Sequence, residues 1–201
     1  MQNEKKIEQI LHLIGQKGIL RPRELGEYNI PRIYLKRLYD RGLLNRSGRG
    51  LYALADSEVT EHHTLAQVSK RIPHGVVCLI SALQFHNLTT QMPFEVWIAT
   101  EKHTRKNRIS YPTIRFAYFS QDAFSSGIEE HTIEGVPVKI YSPPKTIADC
   151  FKYRNKIGLD VALEALRIYR KRSDFSYDRL WGYARICRID KIMKPYLEAL
   201  A

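Results

Sequence analysis

Residues 31 to 54 read PRIYLKRLYDRGLLNRSGRGLYAL, and no other stretch narrows the fold as much. Leu35 and Leu38 share one helical face with Pro31, while Arg32, Tyr34, Lys36 and Arg37 spread over the rest. Gly42 ends that amphipathic run, Leu43 and Leu44 begin a strand, NRSGRG turns, and LYAL returns. A helix followed directly by a short hairpin is the structure this pattern predicts. Glycine at the turn follows from backbone geometry, because a tight turn needs positive φ. Arg46 and Arg49 do not follow from it, since Ser or Asn would fill the same tip.

The preceding residues complete the unit. Ile7, Ile10, Leu11 and Ile14 recur at helical spacing, and Gly15 and Gly18 are expected to stop that helix. ILRPRELGEY predicts a short second helix with Pro22 in its first turn and Leu25 in the core. Asn29 sits where the third helix needs an N-cap, with Pro31 behind it. Three helices and a hairpin make a winged helix-turn-helix, expected over residues 1–58. In that architecture the third helix enters the major groove and the hairpin tip reaches an adjacent groove or phosphates. Arg32 and Tyr34 are therefore expected at or near bases, and Lys36, Arg37, Arg46 and Arg49 at the backbone or on the wing.

Charge agrees with a polyanionic partner. The 201 residues carry a formal net charge of +11, a field that favours encounter with double-stranded DNA. Residues 1–60 hold eleven Lys and Arg against seven Asp and Glu, so only +4 lies there. Placement on one helix and one turn is thus the stronger signal, although basic faces also occur as solvated surface and winged helices also dock proteins. No apolar run approaches the roughly 20 residues of a membrane span. The polar opening MQNEKKIEQI predicts no secretory signal and a cytoplasmic location. Cys78, Cys150 and Cys187 lack metal-ligand spacing and read as buried, reduced thiols.

Residues 59–201 predict a mixed α/β domain with a helical C-terminal end, so the fold class is α+β. HHTLAQVSKRI reads as a bridging helix and VVCLISALQFHNL as a buried one. FEVWIAT, TIRFAYF, HTIEG and VPVKIYS read as strands, the last two joined by a hairpin or bulge at Gly135 and Pro137. Beyond Pro143-Pro144 the chain is expected to be helical, with an apolar stripe of Ala162, Ala165, Leu166 and Tyr169.

SALQFHNLTTQMPFEVWIAT, then IRF, then GVPVKIYSPPKTIADCFKYRNKIGLDVALEALR, preceded by GRGLYAL, resembles the AbiEi antitoxin family of type IV toxin-antitoxin, abortive-infection systems. The resemblance runs from about Ile7 to about Arg172. It implies a cytoplasmic prokaryotic protein that represses its own operon; two copies of a free monomer are expected on an inverted repeat in the promoter, matching its symmetry. It also implies that the second domain counteracts a nucleotidyltransferase-like toxin, without requiring a stable complex, and so a role in phage resistance. Ser81, Leu83, His86, Thr89, Trp97, Ser142, Pro143, Thr146, Asp149, Arg154 and Gly158 match recurring positions of the family, which supplies no catalytic role for them. Ser142 or Thr146 is placed to cap the following helix, and Lys145 and Asp149, four apart, read as an exposed ion pair.

No cofactor, metal or enzymatic activity is expected. Ser81 and His86 lack a nucleophile elbow and an acid partner, and His62-His63 lacks accompanying ligands. The acid-x-Lys triplet Glu4-Lys5-Lys6 lies far from any strand, and no phosphate-binding loop is present. The basic stretch EKHTRKNR, with Lys102, Arg105, Lys106 and Arg108, reads equally as a solvated loop and as an accessory nucleic-acid contact. Two other readings stay open: a stand-alone regulator whose second domain docks a protein, and, behind it, a nuclease tethered to DNA.

Overall fold

The computed structural model describes residues 2–101 and 111–199. The chain is mixed α+β, with helices at both ends. It divides into two compact units, one of Met1–Pro73 with Thr132–Val138, the other of His74–His131 with Lys139–Ala201.

In the first unit α1 (Gln2–Lys17) buries Ile10, Leu13 and Ile14. It continues through Gly15, since one glycine is tolerated in a packed helix, and stops at Gly18, whose φ is 64°. Pro22–Tyr28 is a 3-10 helix, with Leu25 fully buried. The Glu24 carboxylate accepts from the Arg21 backbone N–H at 2.7 Å, in the manner of a capping box. Asn29 takes the left-handed conformation, φ 54°, and closes this 3-10 turn. It does not cap the next helix as its position predicts. That helix, α2 (Ile33–Asp40), opens from a turn in which Tyr34 and Leu35 donate to the carbonyls of Pro31 and Arg32.

β1 (Leu44–Arg46) and β2 (Tyr52–Leu54) pair antiparallel, with Arg46 opposite Tyr52. Gly48 and Gly50, at φ 125° and 69°, turn the tip. Leu20 exchanges both backbone hydrogen bonds with Tyr52, which ties the hairpin to the end of α1. Ile10, Ile14, Leu20, Leu25, Leu35, Leu38 and Leu44 form the core beneath. α3 (His63–Arg71) follows. The Glu134-Gly135 turn belongs to this unit, and a Cβ on Gly18 would lie 1.5 Å from the Glu134 carbonyl oxygen. Two backbones touch here, and only glycine permits it.

The remaining strands are β3 (Val76–Val77), β4 (Val96–Glu101), β5 (Ile114–Phe119), β6 (Ile128–Ile133) and β7 (Val136–Tyr141), in sheet order β5-β4-β3-β7-β6. β3 runs antiparallel to β4 and parallel to β7, and β4 runs parallel to β5. The apolar run expected as one buried helix is divided: Val76 and Val77 form the central strand, and α4 (Leu79–Phe85) begins after extended Cys78. A run buried on every side carries no period to separate strand from helix, so the sheet decides. A short α5 (Gln121–Ser125) precedes β6.

Helices α6 (Pro143–Lys152), α7 (Arg154–Ile157), α8 (Leu159–Arg170), α9 (Tyr177–Ile186) and α10 (Asp190–Ala199) complete the second unit. The α8 stripe of Ala162, Ala165, Leu166 and Tyr169 is buried as expected. α6 is buried along residues 143–151, with Lys145 and Asp149 at 0% exposure. The expected exposed pair is therefore an interior one. Nζ of Lys145 lies 2.7 and 2.6 Å from the two carboxylate oxygens of Asp149. The i, i+4 spacing is as read; the surrounding helices and sheet, not the spacing, determine its burial.

Candidate nucleic-acid interface

The first unit sorts side chains sharply by solubility. Along α2 and its N-terminal turn, Arg32, Lys36 and Arg37 are exposed, while Tyr34, Leu35 and Leu38 are buried. On the hairpin, Arg46 and Arg49 are exposed as well. Leu35 and Leu38 fix the rotation of α2, and that rotation turns the cations outward.

Tyr34 departs from expectation. It is 6% exposed, and its hydroxyl donates to Oδ1 of Asn3 on α1. A ring held in the core is not placed to reach a base edge; the aromatic body fills space where α1 meets α2. Its face serves as a platform, with the Arg37 guanidinium 5.3 Å from the ring centroid and the Lys6 ammonium 5.9 Å. Arg46 is held likewise, 4.6 Å from the centroid of Tyr39 and 5.8 Å from that of Tyr52. A guanidinium stacked on a ring keeps its N–H edge free to donate, and loses less side-chain freedom on binding.

The hairpin tip is braced from below by residues that the local sequence pattern did not single out. Nδ1–H of His63 donates to the Glu134 carboxylate, which leaves Nε2 to accept from the Ser47 hydroxyl and the Gln67 amide, each at 2.8 Å. Gln67 also donates to Ser47 at 3.0 Å. Thr60 donates to Glu134 from its backbone N–H at 2.7 Å and its hydroxyl at 2.9 Å. Burial alone would raise the Glu134 carboxyl, but the hydrogen bonds from His63 and Thr60 outweigh it and hold the group below its ordinary value. Arg71 donates to the Arg49 carbonyl at 3.4 Å, and partial burial lowers its own proton affinity. The one trace of this network in the sequence is the i, i+4 spacing of His63 and Gln67 on α3.

Lys102, Arg105, Lys106 and Arg108 lie outside the described residues. Among the described residues no three His, Cys, Asp or Glu side chains are grouped to hold a metal ion, and no helix is long and apolar enough to cross a membrane. Several second-unit positions named from the sequence make internal hydrogen bonds. Ser81 accepts from Trp97 N–H at 3.0 Å, His86 donates to the Tyr141 carbonyl at 2.8 Å, and Thr89 donates to Glu164 at 2.9 Å. Thr146 donates to the Tyr141 carbonyl at 3.0 Å, and Ser142 holds the N-cap position of α6 without a side-chain cap.

Residues 8–55 match the family described as transcriptional regulator, AbiEi antitoxin. The AbiEi match runs from α1 to the residue after β2, and so contains Arg32, Lys36, Arg37, Arg46 and Arg49. No curated protein matches the sequence. Among solved structures, the RV2827C protein from Mycobacterium tuberculosis is similar to this chain with a TM-score of 0.53 at 9% identity, over 96% of this chain and 81% of that one. At that identity the likeness is one of fold, and it extends well beyond the AbiEi segment.

Proposed function

We propose that residues 1–58 form a winged helix-turn-helix that reads double-stranded DNA at the promoter of its own operon, and that residues 59–201 form the antitoxin domain opposing a nucleotidyltransferase-like toxin. The observation that carries this reading is the outward display of Arg32, Lys36, Arg37, Arg46 and Arg49 within the segment that matches the AbiEi family. α2 enters the major groove by its N-terminal half, where Arg32 meets base edges. Lys36 and Arg37 pair with phosphates, and Arg46 and Arg49 reach the backbone or minor groove from the hairpin. Tyr34 supports Arg37 from the core and reads no base. Two copies on an inverted repeat occlude the promoter, and repression follows from occupancy. The protein is a cytoplasmic DNA-binding regulator with no catalytic step of its own.

The test is binding of the full chain to a labelled duplex from its upstream region, against a scrambled duplex, at two salt concentrations. Each good Arg contact to a base carries roughly 1–3 kcal/mol of discrimination. Arg32→Ala with Arg37→Ala should therefore remove preference for the native duplex and flatten the salt dependence. Equal binding of the native protein to both duplexes would refute sequence-specific autorepression.

A further inference from the structure

The second unit contains an open cavity of about 520 Å³ where β5, α5, α6, α7 and the end of α9 meet. That volume lies within the roughly 300–1,000 Å³ usual for small-molecule sites. Three features of its lining point the same way.

The first is charge. Lys152, Lys156 and Arg188 line the cavity with exposed side chains, and the acid at its floor, Asp149, is already committed. Lys145 donates to both of its carboxylate oxygens, and the Cys187 thiol donates to one of them at 3.3 Å. Burial pushes the Asp149 carboxyl up, to about 6, against the pull of Lys145 and Cys187. The floor is thus electrically satisfied and the rim carries three cations, an arrangement that attracts an anion.

The second is the wall. The rings of Phe119 and Tyr153 lie 5.4 Å apart at 36°, and the Lys156 ammonium stands 5.4 Å from the Tyr153 centroid. Ile186, 38% exposed, adds apolar surface. A bare inorganic anion has no use for such walls, whereas a flat heterocycle does.

The third is Arg188 itself. It follows the C-cap of α9 with φ 56°, the left-handed position where glycine is the usual occupant. Its N–H donates to the Arg185 carbonyl, and that of Ile189 to Ala184. A side chain at such a position strains the backbone, and here the side chain is a guanidinium at the cavity's edge.

We propose that this cavity binds a nucleoside monophosphate, with the phosphate on Lys152, Lys156 and Arg188, the base against Tyr153, which Phe119 backs, and Ile186, and the sugar within reach of Ser120 and Asn155. The same chemistry is offered by a free nucleotide and by the phosphorylated end of a nucleic-acid strand.

The experiment is calorimetric titration of the full chain with each of the four ribonucleoside 5′-monophosphates, alongside the matching nucleoside and inorganic phosphate. At least one monophosphate should bind at least about tenfold more tightly than either fragment, because both the cations and the ring wall contribute. Lys156→Gln with Arg188→Gln should weaken it by about tenfold or more. Asn155→Trp, at an exposed position on α7, should fill the mouth and abolish binding while thermal unfolding stays unchanged. A 5′-phosphorylated trinucleotide completes the series: tighter binding than the monophosphate assigns the site to a strand end, weaker binding to the free nucleotide. The proposal is overturned if no monophosphate binds below about 1 mM, if inorganic phosphate binds equally well, or if binding survives both sets of substitutions.

Discussion

The two units differ in where a cation can be placed: the second holds one in its interior. In the first, Arg32, Lys36, Arg37, Arg46 and Arg49 stand in solvent around an apolar cluster that includes Leu35, Leu38 and Tyr34. In the second, Lys145 is wholly buried, clamped to Asp149 and lying 4.1 Å from the Tyr141 ring centroid and 4.9 Å from that of Phe119. An exposed cation costs the fold little and is available to a partner. A buried one costs several kcal/mol of lost hydration and is useful only to its own neighbours. Binding is therefore to be sought among exposed cations, which the second unit also has in Lys152, Lys156 and Arg188, while Lys145 belongs to architecture.

That contrast can be tested where its effect is greatest. Lys145→Met leaves the buried Asp149 carboxyl without its cation, so that it must either carry an unpaired charge or take up a proton, and should destabilise the second unit by about 3–5 kcal/mol in urea unfolding. Adding Asp149→Leu should recover most of the loss. If it does not, the pair holds more of the unit together than charge matching explains. In the first unit, where backbone contact rather than charge is tight, Gly18→Ala places a methyl against the Glu134 carbonyl at positive φ and should cost about 2–4 kcal/mol, read the same way.

A smaller effect belongs to His86. Burial lowers its proton affinity below the ordinary 6.5, against the Tyr141 carbonyl and Glu129, and with help from His131 and Arg172. A base with depressed affinity in the fold supplies stability above pH 6.5 that is lost as pH falls through its folded value. The stability difference between the native protein and His86→Gln, measured by urea unfolding as a function of pH, should shift against the native protein on acidification through that range. The smallest effect is expected from Arg32→Ala with Arg37→Ala, within about 0.5 kcal/mol of native stability. A loss well above that would place these arginines in the fold and weaken their assignment to DNA.

What could be read from the sequence was whatever is decided locally. α2 and its hairpin follow from a helical period, Gly42 and two turn glycines, and the α8 stripe from Ala162 to Tyr169 follows from spacing alone. Asn29 was misplaced because an Asn before a helix suits both an N-cap and a left-handed turn, and the preceding 3-10 segment took it. Tyr34 lies in the core rather than at a base because a tyrosine between charged neighbours looks amphipathic until α1 covers it. The burial of Lys145 and Asp149 depends on elements far away in sequence. So does the bracing of Ser47 through His63, whose carboxylate partner lies 71 residues further on. Neither arrangement leaves a local period for the sequence to show.

The inclusion of Thr132–Val138 in the first unit has a consequence for synthesis. Chains emerge from the ribosome N-terminus first, so Met1–Pro73 must wait for the residues up to 138, 65 further on (138 − 73), before the unit is complete. At roughly 5–20 residues per second that wait is about 3–13 s. A nascent chain cut short before the Glu134-Gly135 turn arrives would carry Arg32, Arg37, Arg46 and Arg49 on a segment lacking the Glu134 brace beneath its hairpin tip. The first unit is thereby completed only in chains translated well into the second.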